Sequence, residues 1–279
     1  MRKKIKHSSN LIIVLLLLIG AFTMVLPFVW MLSTSLKESK LVYQIPPQWI
    51  PNPVDWKNFI EIWYVSNIGT GLKNSVIITA CVVLFSTLTS SMAAFSFAKI
   101  NFPHKNIIFL ALLSTTMVPF VVLLIPQFLM YSKMNWIDTL LPLIIPASLG
   151  NVSMIFFLRQ YMKGLSSELM DAAKVDGCGY PRIYYRIFLP LCGPAIAANV
   201  ILLFMNTWND YLAPVVFTNS AKYATIQVAI ASLNSFYAEQ TDFPIVMAAS
   251  LVAILPILIL FITCQKYFTE SFAMSGIKG

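Results

Sequence analysis

Six long stretches without a charged side chain dominate this 279-residue sequence. A transmembrane helix needs about 20 mostly apolar residues, because each residue rises about 1.5 Å across about 30 Å of hydrocarbon. Hydrophobic residues make up 58% of the chain and charged residues 11%, which excludes an ordinary soluble domain. We therefore predict an all-α membrane protein, a single transmembrane domain over residues 1–279 with six transmembrane helices. The predicted spans are residues 11–32, 74–98, 106–132, 139–158, 187–209 and 243–265.

The basic residues are unevenly distributed among the segments that join the spans. If the N-terminus is cytoplasmic, 13 of the 19 Lys and Arg residues fall in cytoplasmic segments and six fall outside. Because cytoplasmic loops carry an excess of Lys and Arg, this predicts that the N- and C-termini are both cytoplasmic. The apolar run after the basic start is too long for a signal peptide, so we expect an uncleaved first span. The net charge of +8 then reflects the membrane topology and does not indicate a nucleic-acid partner.

Several functional classes are disfavoured by what the spans lack. None of the six windows contains Asp, Glu, Lys, Arg or His, whereas proton-coupled carriers usually place ionisable residues there. The chain has no phosphate-binding loop sequence, and neither His7 nor His104 belongs to a catalytic or metal-binding pattern. We predict no catalytic residues, no metal site and no enzymatic activity. A secondary transporter remains an alternative, and a membrane enzyme would need an interfacial set of polar catalytic residues.

Two patterns predict how the spans pack and bend. Small residues spaced four apart let helix backbones approach closely in lipid, and they predict a packing seam in the second span. That seam consists of Ser86, Ser90, Ala94 and Ala98. Prolines within spans predict kinks, because they remove a backbone hydrogen bond. These prolines are Pro119, Pro126, Pro142 and Pro146. A weaker apolar window, residues 223–238, predicts an interfacial or re-entrant helix.

Polar residues gather at the end of the fifth span. Asn206, Asn209 and Asp210 lie at i, i+3 and i+4, which places them on one face of a helix. Because amides and a carboxylate facing lipid are costly, that face should turn toward protein or a watery cavity. Such groups also suit sugar hydroxyls, since together they donate and accept hydrogen bonds. Two interpretations stay open, a translocation pathway and hydrogen bonds that hold helices together.

The one substantial cytoplasmic loop, residues 159–186, predicts two short helices at an angle. Ser166 or Ser167 can cap the first helix, which should run to about Asp176. Gly177 can end it in the left-handed conformation, and Pro181 suits the start of a second helix toward Leu189.

The surface of the first helix also points to a partner. Ala172 and Ala173 leave an apolar spot without long side chains, and a helix this short is marginal alone in water. We therefore predict that this loop docks into another protein.

The spacing within this loop resembles a known motif. Asp171-Ala172-Ala173, three residues, Gly177, nine residues and then Ile187-x-Leu189-Pro190 are similar to the EAA loop of binding-protein-dependent ABC importer permeases, with Asp171 in place of Glu. The stretch Phe204–Tyr211 and the C-terminal tail resemble the carbohydrate branch, which includes the second permease subunit of the maltose transporter. We call residues 159–186 the EAA loop.

The resemblance implies the ABC importer permease fold in a bacterial cytoplasmic membrane. It also implies a homologous permease partner, two copies of an ABC ATPase, an extracytoplasmic sugar-binding protein and surrounding lipid. ATP and Mg²⁺ would bind to the partner ATPase, so no cofactor is expected here. An alternative keeps the ABC permease but changes the solute to glycerol phosphate or a polyol.

The resemblance also implies roles for particular residues. The ATPase-coupling residues would be Glu168, Asp171, Ala172, Ala173, Asp176, Gly177, Ile187, Leu189 and Pro190. The translocation pathway would include Asn206, Trp208, Asn209 and Asp210, and the C-terminal tail would contact the ATPase through Lys278 and Gly279.

Overall fold

The computed structural model describes residues 2–234 and 241–276, and within these two stretches the chain forms helices and loops without a β-strand. The α-helices, in chain order, are α1 (Arg2–Ser35), α2 (Asn58–Val65), α3 (Ile68–Lys99), α4 (Lys105–Ser114), α5 (Phe120–Lys133), α6 (Leu141–Ser148), α7 (Val152–Gly164), α8 (Glu168–Val175), α9 (Tyr180–Ile183), α10 (Leu189–Leu191), α11 (Gly193–Trp208), α12 (Leu212–Phe217), α13 (Ile226–Ala231) and α14 (Phe243–Gly276). A π-helical turn, Tyr184–Phe188, joins α9 to α10. The tail residues Lys278 and Gly279 lie outside the described residues.

Four described helices are long and apolar enough to cross a membrane, and there are six spans if two bent helix pairs each count as one. The four are Ile13–Ser35, Ile68–Lys99, Leu141–Gly164 and Phe243–Gln265. The bent pairs are Lys105–Met117 with Phe120–Lys133, at 96°, and Tyr180–Leu191 with Gly193–Trp208, at 79°. Each charge-free window of the sequence overlaps one of these helices or pairs.

Proline accounts for both bends. Pro119 precedes α5, and the residue before it, Val118, has the extended backbone that a following proline favours. The second bend falls at Cys192, directly before Gly193 and Pro194. Pro194 has no N–H to continue the helix, and its ring opposes a straight path through the preceding turn. The first bend lies at a predicted kink, whereas the sequence analysis did not predict the second.

The chain divides into two compact units, and the first comprises residues 1–68 and 230–254. Within this unit, polar contacts near the end of α1 hold the loop that connects α1 to α2. The side-chain amide of Asn58 donates to the carbonyl oxygens of Ser35 and Lys37, each at 2.9 Å. The Lys37 ammonium lies 4.2 Å from the centre of the Trp30 ring, a cation–π contact that accommodates a buried lysine.

The second unit comprises residues 69–229 and 255–279 and contains both candidate sites. The predicted small-residue seam of α3 packs inside this unit, because Ser86, Ser90 and Ala94 are fully buried. The Ser90 hydroxyl accepts a 2.8 Å hydrogen bond from the backbone N–H of Asn151, where α6 gives way to α7. The seam therefore joins elements of the same chain.

The start of α3 holds the segment that leads into α13. The Asn74 side-chain amide donates to the carbonyl oxygens of Lys222 and Ala224, both at 2.9 Å. The Ser75 hydroxyl accepts from the backbone N–H of Ile226, also at 2.9 Å. A Cβ added at Gly71 would lie 2.9 Å from the carbonyl oxygen of Thr225, so only glycine fits there. Within the window 223–238, the described helix is α13, six residues long.

Candidate functional site

The EAA loop folds into two short helices joined by a glycine turn, as the sequence predicts. The Ser166 hydroxyl accepts a 3.2 Å hydrogen bond from the backbone N–H of Glu168, the first residue of α8. Gly177 has a φ of +75°, the left-handed conformation that ends the helix, and the N–H of Cys178 donates to the Ala173 carbonyl oxygen. Pro181 lies in the first turn of α9.

The two faces of α8 differ from the predicted arrangement. Ala172 is exposed, but Ala173 is buried in a core cluster with Met170. The prediction that Ala172 and Ala173 form one exposed apolar spot is therefore wrong for Ala173, because the helix turns that side chain toward its own domain. The exposed apolar residues beside Ala172 are Leu169, 41% exposed, and Val175, 88% exposed. Their spacing of i, i+3 and i+6 with Ala172 was visible in the sequence, and the sequence analysis missed it.

The other predicted coupling residues lie around this helix. Glu168, Asp171, Asp176 and Gly177 are exposed on or beside α8. Ile187 and Leu189 are half-buried against the core cluster behind it, and Pro190 is exposed. The acidic residues Glu168 and Asp171 are in the first turn of α8, where carboxylates interact favourably with the helix dipole.

One face of α3 anchors both ends of the EAA loop. Ser91, Phe95 and Lys99 are spaced four apart, so they lie on the same side of the helix. The hydroxyls of Ser91 and Tyr184 are 2.7 Å apart. Because the Ser91 hydroxyl also donates to the Thr87 carbonyl oxygen at 2.6 Å, Tyr184 is the donor in this pair.

The remaining two residues of that face complete the anchor. The Lys99 ammonium donates to the carbonyl oxygen of Leu165 at 2.7 Å, just before α8. The Phe95 ring lies 5.6 Å from that of Tyr184 and 5.3 Å from that of Phe188, measured between centroids. The loop is thus bound to α3 at the start of α8 and again at the end of α9.

A polar cavity of about 230 Å³ lies at the other end of α3. It is bounded by the start of α3, by α6, by the end of α11 and by residues near α12 and α13. Its lining residues are Ser75, Ile78, Leu143, Ala147, Asn151, Leu203, Asn206, Thr207, Asp210, Pro214 and Thr225. Two of the four residues predicted for the pathway, Asn206 and Asp210, therefore meet in one cavity.

The other two predicted pathway residues lie elsewhere. Trp208 is 1% exposed, and its ring stacks on that of Phe204 with centroids 5.6 Å apart. Asn209 follows the last residue of α11, is exposed and does not line the cavity. Its side-chain oxygen accepts a 3.2 Å hydrogen bond from the Gln227 side-chain amide. This is the kind of contact between helices that the second interpretation of the sequence predicts.

Asp210 is the charged residue of the described lining. Its carboxylate accepts a 3.3 Å hydrogen bond from the backbone N–H of Ala213. Burial raises the pKa of the Asp210 carboxyl, and hydrogen bonds from the backbone N–H groups of Ala213 and Leu212 oppose that shift. The described lining contains no Lys, Arg or His. The sequence did not indicate Ser75, Asn151 or Thr225, because each is distant in sequence from the fifth span.

Comparison with known proteins identifies the family. Residues 86–272 match the family model described as "Binding-protein-dependent transport system inner membrane component". The chain is 36% identical over 281 residues to the arabinooligosaccharides transport system permease protein AraQ of Halalkalibacterium halodurans, covering 98% of this chain and 100% of the relative. It is 29% identical over 263 residues to the sn-glycerol-3-phosphate transport system permease protein UgpE of Yersinia pestis, covering 92% of this chain and 93% of the relative.

A solved structure has the same fold. It is described as a bacterial ABC transporter involved in the import of the acidic polysaccharide alginate, and it matches with a TM-score of 0.82 at 21% identity. The match covers 93% of this chain and 96% of that one. The chain therefore belongs to the family of inner-membrane permease components of binding-protein-dependent transport systems. The predicted all-α permease fold, the multi-pass inner-membrane location and the membership in this family are confirmed.

Proposed function

We propose that this chain is one of two homologous permease subunits of an ATP-driven importer, and that the exposed face of α8 docks into a cytoplasmic ATPase. The observation that carries this proposal is the apolar face of Leu169, Ala172 and Val175 on α8, within a loop that is anchored to α3 before α8 and after α9. An isolated helix of eight residues is only marginally stable in water, so the anchors keep α8 folded. An exposed apolar face on such a helix marks a site of contact with a partner protein.

The proposed assembly follows from the family. It contains a second permease, two copies of an ABC ATPase that hold ATP and Mg²⁺, and an extracytoplasmic binding protein that delivers the solute. The EAA loop and both termini face the cytoplasm, which agrees with the position of 13 of the 19 basic residues. The C-terminal tail residues Lys278 and Gly279 also contact the ATPase. This chain forms half of the translocation pathway, and ATP hydrolysis takes place on the partner ATPase.

We propose a sugar as the solute. The relative with the higher identity of the two reported is named for arabinooligosaccharides, and the cavity combines amides, hydroxyls and a carboxylate that suit sugar hydroxyls. The second candidate is a glycerol phosphate, which the name of the relative from Yersinia pestis supports. A secondary transporter would have no use for the anchored docking helix.

The test of the docking face uses a matched pair of substitutions. Val175→Asp places a charge on the exposed face of α8, and Val65→Asp makes the same change on the exposed surface of α2. In the complex reconstituted with both permeases, ATPase and binding protein, Val175→Asp should reduce ATPase co-purification and binding-protein-stimulated hydrolysis by about tenfold or more. Val65→Asp should leave the co-purification of the ATPase unchanged. Normal assembly and hydrolysis with Val175→Asp would refute the docking proposal.

A further inference from the structure

The lining of the polar cavity combines hydrogen-bonding groups with apolar surface, and a site for a sugar ring needs both. Asn206, Thr207 and Asp210 supply hydrogen-bonding groups at the end of α11. Ile78, Leu143, Leu203 and Pro214 supply apolar surface on the same lining. Sugar rings present hydroxyl groups along their edge and C–H groups on their faces. A site with apolar walls and a few polar groups suits such a ligand.

Charge and size narrow the class of ligand. The described lining offers a carboxylate and no cation, which disfavours a phosphate group and favours an uncharged polyhydroxylated molecule. The cavity, about 230 Å³, is smaller than the roughly 300–1,000 Å³ of sites that enclose drug-sized ligands. It therefore has room for a single ring rather than for a complete oligosaccharide.

We infer that this cavity is a subsite for one uncharged sugar ring, in which Asp210 and Asn206 bind ring hydroxyls. This inference rests on the proposed function and assigns part of the solute recognition to this permease chain. A longer sugar occupies the subsite with one ring while the rest of the molecule lies outside it. The subsite also separates the two candidate solutes, because a glycerol phosphate would bring its negative charge toward Asp210.

The test measures whether a sugar occupies the cavity. In the assembled complex with the four native cysteines replaced, Thr207→Cys should react with a small methanethiosulfonate reagent, because Thr207 is half-buried and lines the cavity. L-arabinose and D-glucose should slow that reaction by about threefold or more, as expected for a ligand held by a few hydrogen bonds, and sn-glycerol 3-phosphate should not. Thr87→Cys is the matched control, because Thr87 is also half-buried but does not line the cavity. Any labelling at Thr87→Cys should be unaffected by sugar.

Three results would overturn the subsite. They are no labelling of Thr207→Cys in any nucleotide state, labelling that neither sugar slows, and equal protection by sn-glycerol 3-phosphate. As a second measurement, Asn206→Ala should lower sugar turnover in proteoliposomes about threefold. Asn199→Ala should not, because Asn199 lies on the same helix but does not line the cavity. The proposed function is tested separately by uptake through the wild-type complex. Sugar uptake without cavity protection refutes the subsite alone, and absence of binding-protein-dependent uptake of any sugar refutes the importer proposal.

Discussion

Helix α3 contacts both the EAA loop and the polar cavity, but the two sets of contacts differ in kind. At the loop, Tyr184 donates to Ser91, Lys99 donates to a backbone carbonyl, and Phe95 fills the space between two rings. At the cavity, Asn74 and Ser75 bind only the edge of the opposing segment, and the centre is open. A close-packed junction transmits displacement, whereas an open one leaves room for a ligand.

The two regions are joined by an unbroken helix. Ser75 at the cavity and Ser91 at the loop are 16 residues apart in α3, about 24 Å along the helix axis. Because a continuous helix resists compression along its hydrogen bonds, a displacement of the loop shifts the cavity wall as well. The comparison therefore predicts that substitutions at the loop end change coupling to the ATPase, and that those at the cavity end change solute handling.

The largest expected effect separates Ala173 from its neighbour. Ala173→Trp overfills the core cluster and should destabilise the domain by about 3 kcal/mol or more, so thermal unfolding of the purified chain should shift clearly downward. Ala172→Trp faces outward, so it should leave thermal stability within about 0.5 kcal/mol while blocking ATPase association. Equal loss of stability in the two variants would show that the faces of α8 are wrongly assigned.

The next effect concerns the cavity end. Gly71→Ala places a methyl group 2.9 Å from the Thr225 carbonyl oxygen, so the segment before α13 must move away from α3. We expect a loss of about 1–3 kcal/mol in unfolding free energy together with impaired sugar uptake. Gly164→Ala is the control, because nothing lies within 4 Å of its added Cβ. Unchanged thermal stability and uptake in Gly71→Ala would contradict the close approach.

A smaller effect is expected at the glycine turn of the EAA loop. Gly177→Val forces a β-branched residue to adopt a φ of +75°, at a cost of about 1–2 kcal/mol, although the surrounding space is open. We expect a modest fall in melting temperature and weaker ATPase association. Gly177→Asn should retain most of both properties, because asparagine tolerates this conformation. If valine were as well tolerated as asparagine, the turn would not depend on the backbone conformation.

The smallest effect tests the anchor itself. Tyr184→Phe removes one buried hydrogen bond, while Ser91 keeps its bond to Thr87, so the loss should be about 1 kcal/mol. We expect more ATP hydrolysed per sugar imported, because the loop follows α3 less closely. Tyr185→Phe is the control, since that side chain is half-exposed beside the anchor. An unchanged ratio of hydrolysis to uptake would show that the hydrogen bond has no part in coupling.

The sequence predicted the EAA loop better than the cavity because the loop is built from local signals. The cap at Ser166, the positive φ of Gly177 and the start of α9 at Pro181 depend on residues a few positions apart. The burial of Ala173 depends on packing against distant helices, and spacing within one short helix did not specify which side faces the domain. Trp208 likewise became core because Phe204, one turn earlier, stacks on it.

The cavity required contacts that span much of the chain. Ser75 and Ile226 are 151 residues apart, yet their hydrogen bond brings Thr225 to the cavity wall. Helical spacing placed Asn206, Asn209 and Asp210 on one face, but α11 ends at Trp208, so both Asn209 and Asp210 lie beyond it. Asp210 lines the cavity and Asn209 bonds to Gln227, and the path of the chain after α11 decides this difference, which periodicity does not predict.

The bend at Cys192 has a mechanical consequence. The arm Tyr180–Leu191 belongs largely to the anchored loop, and the arm Gly193–Trp208 carries three residues of the cavity lining and ends two residues before Asp210. Because the two arms meet at 79°, only about one fifth of a displacement along the first arm is directed along the axis of the second. Most of that displacement is perpendicular to the second axis. If the loop docks as proposed, a displacement of the first arm therefore moves the helix that lines the cavity sideways and not along its own axis.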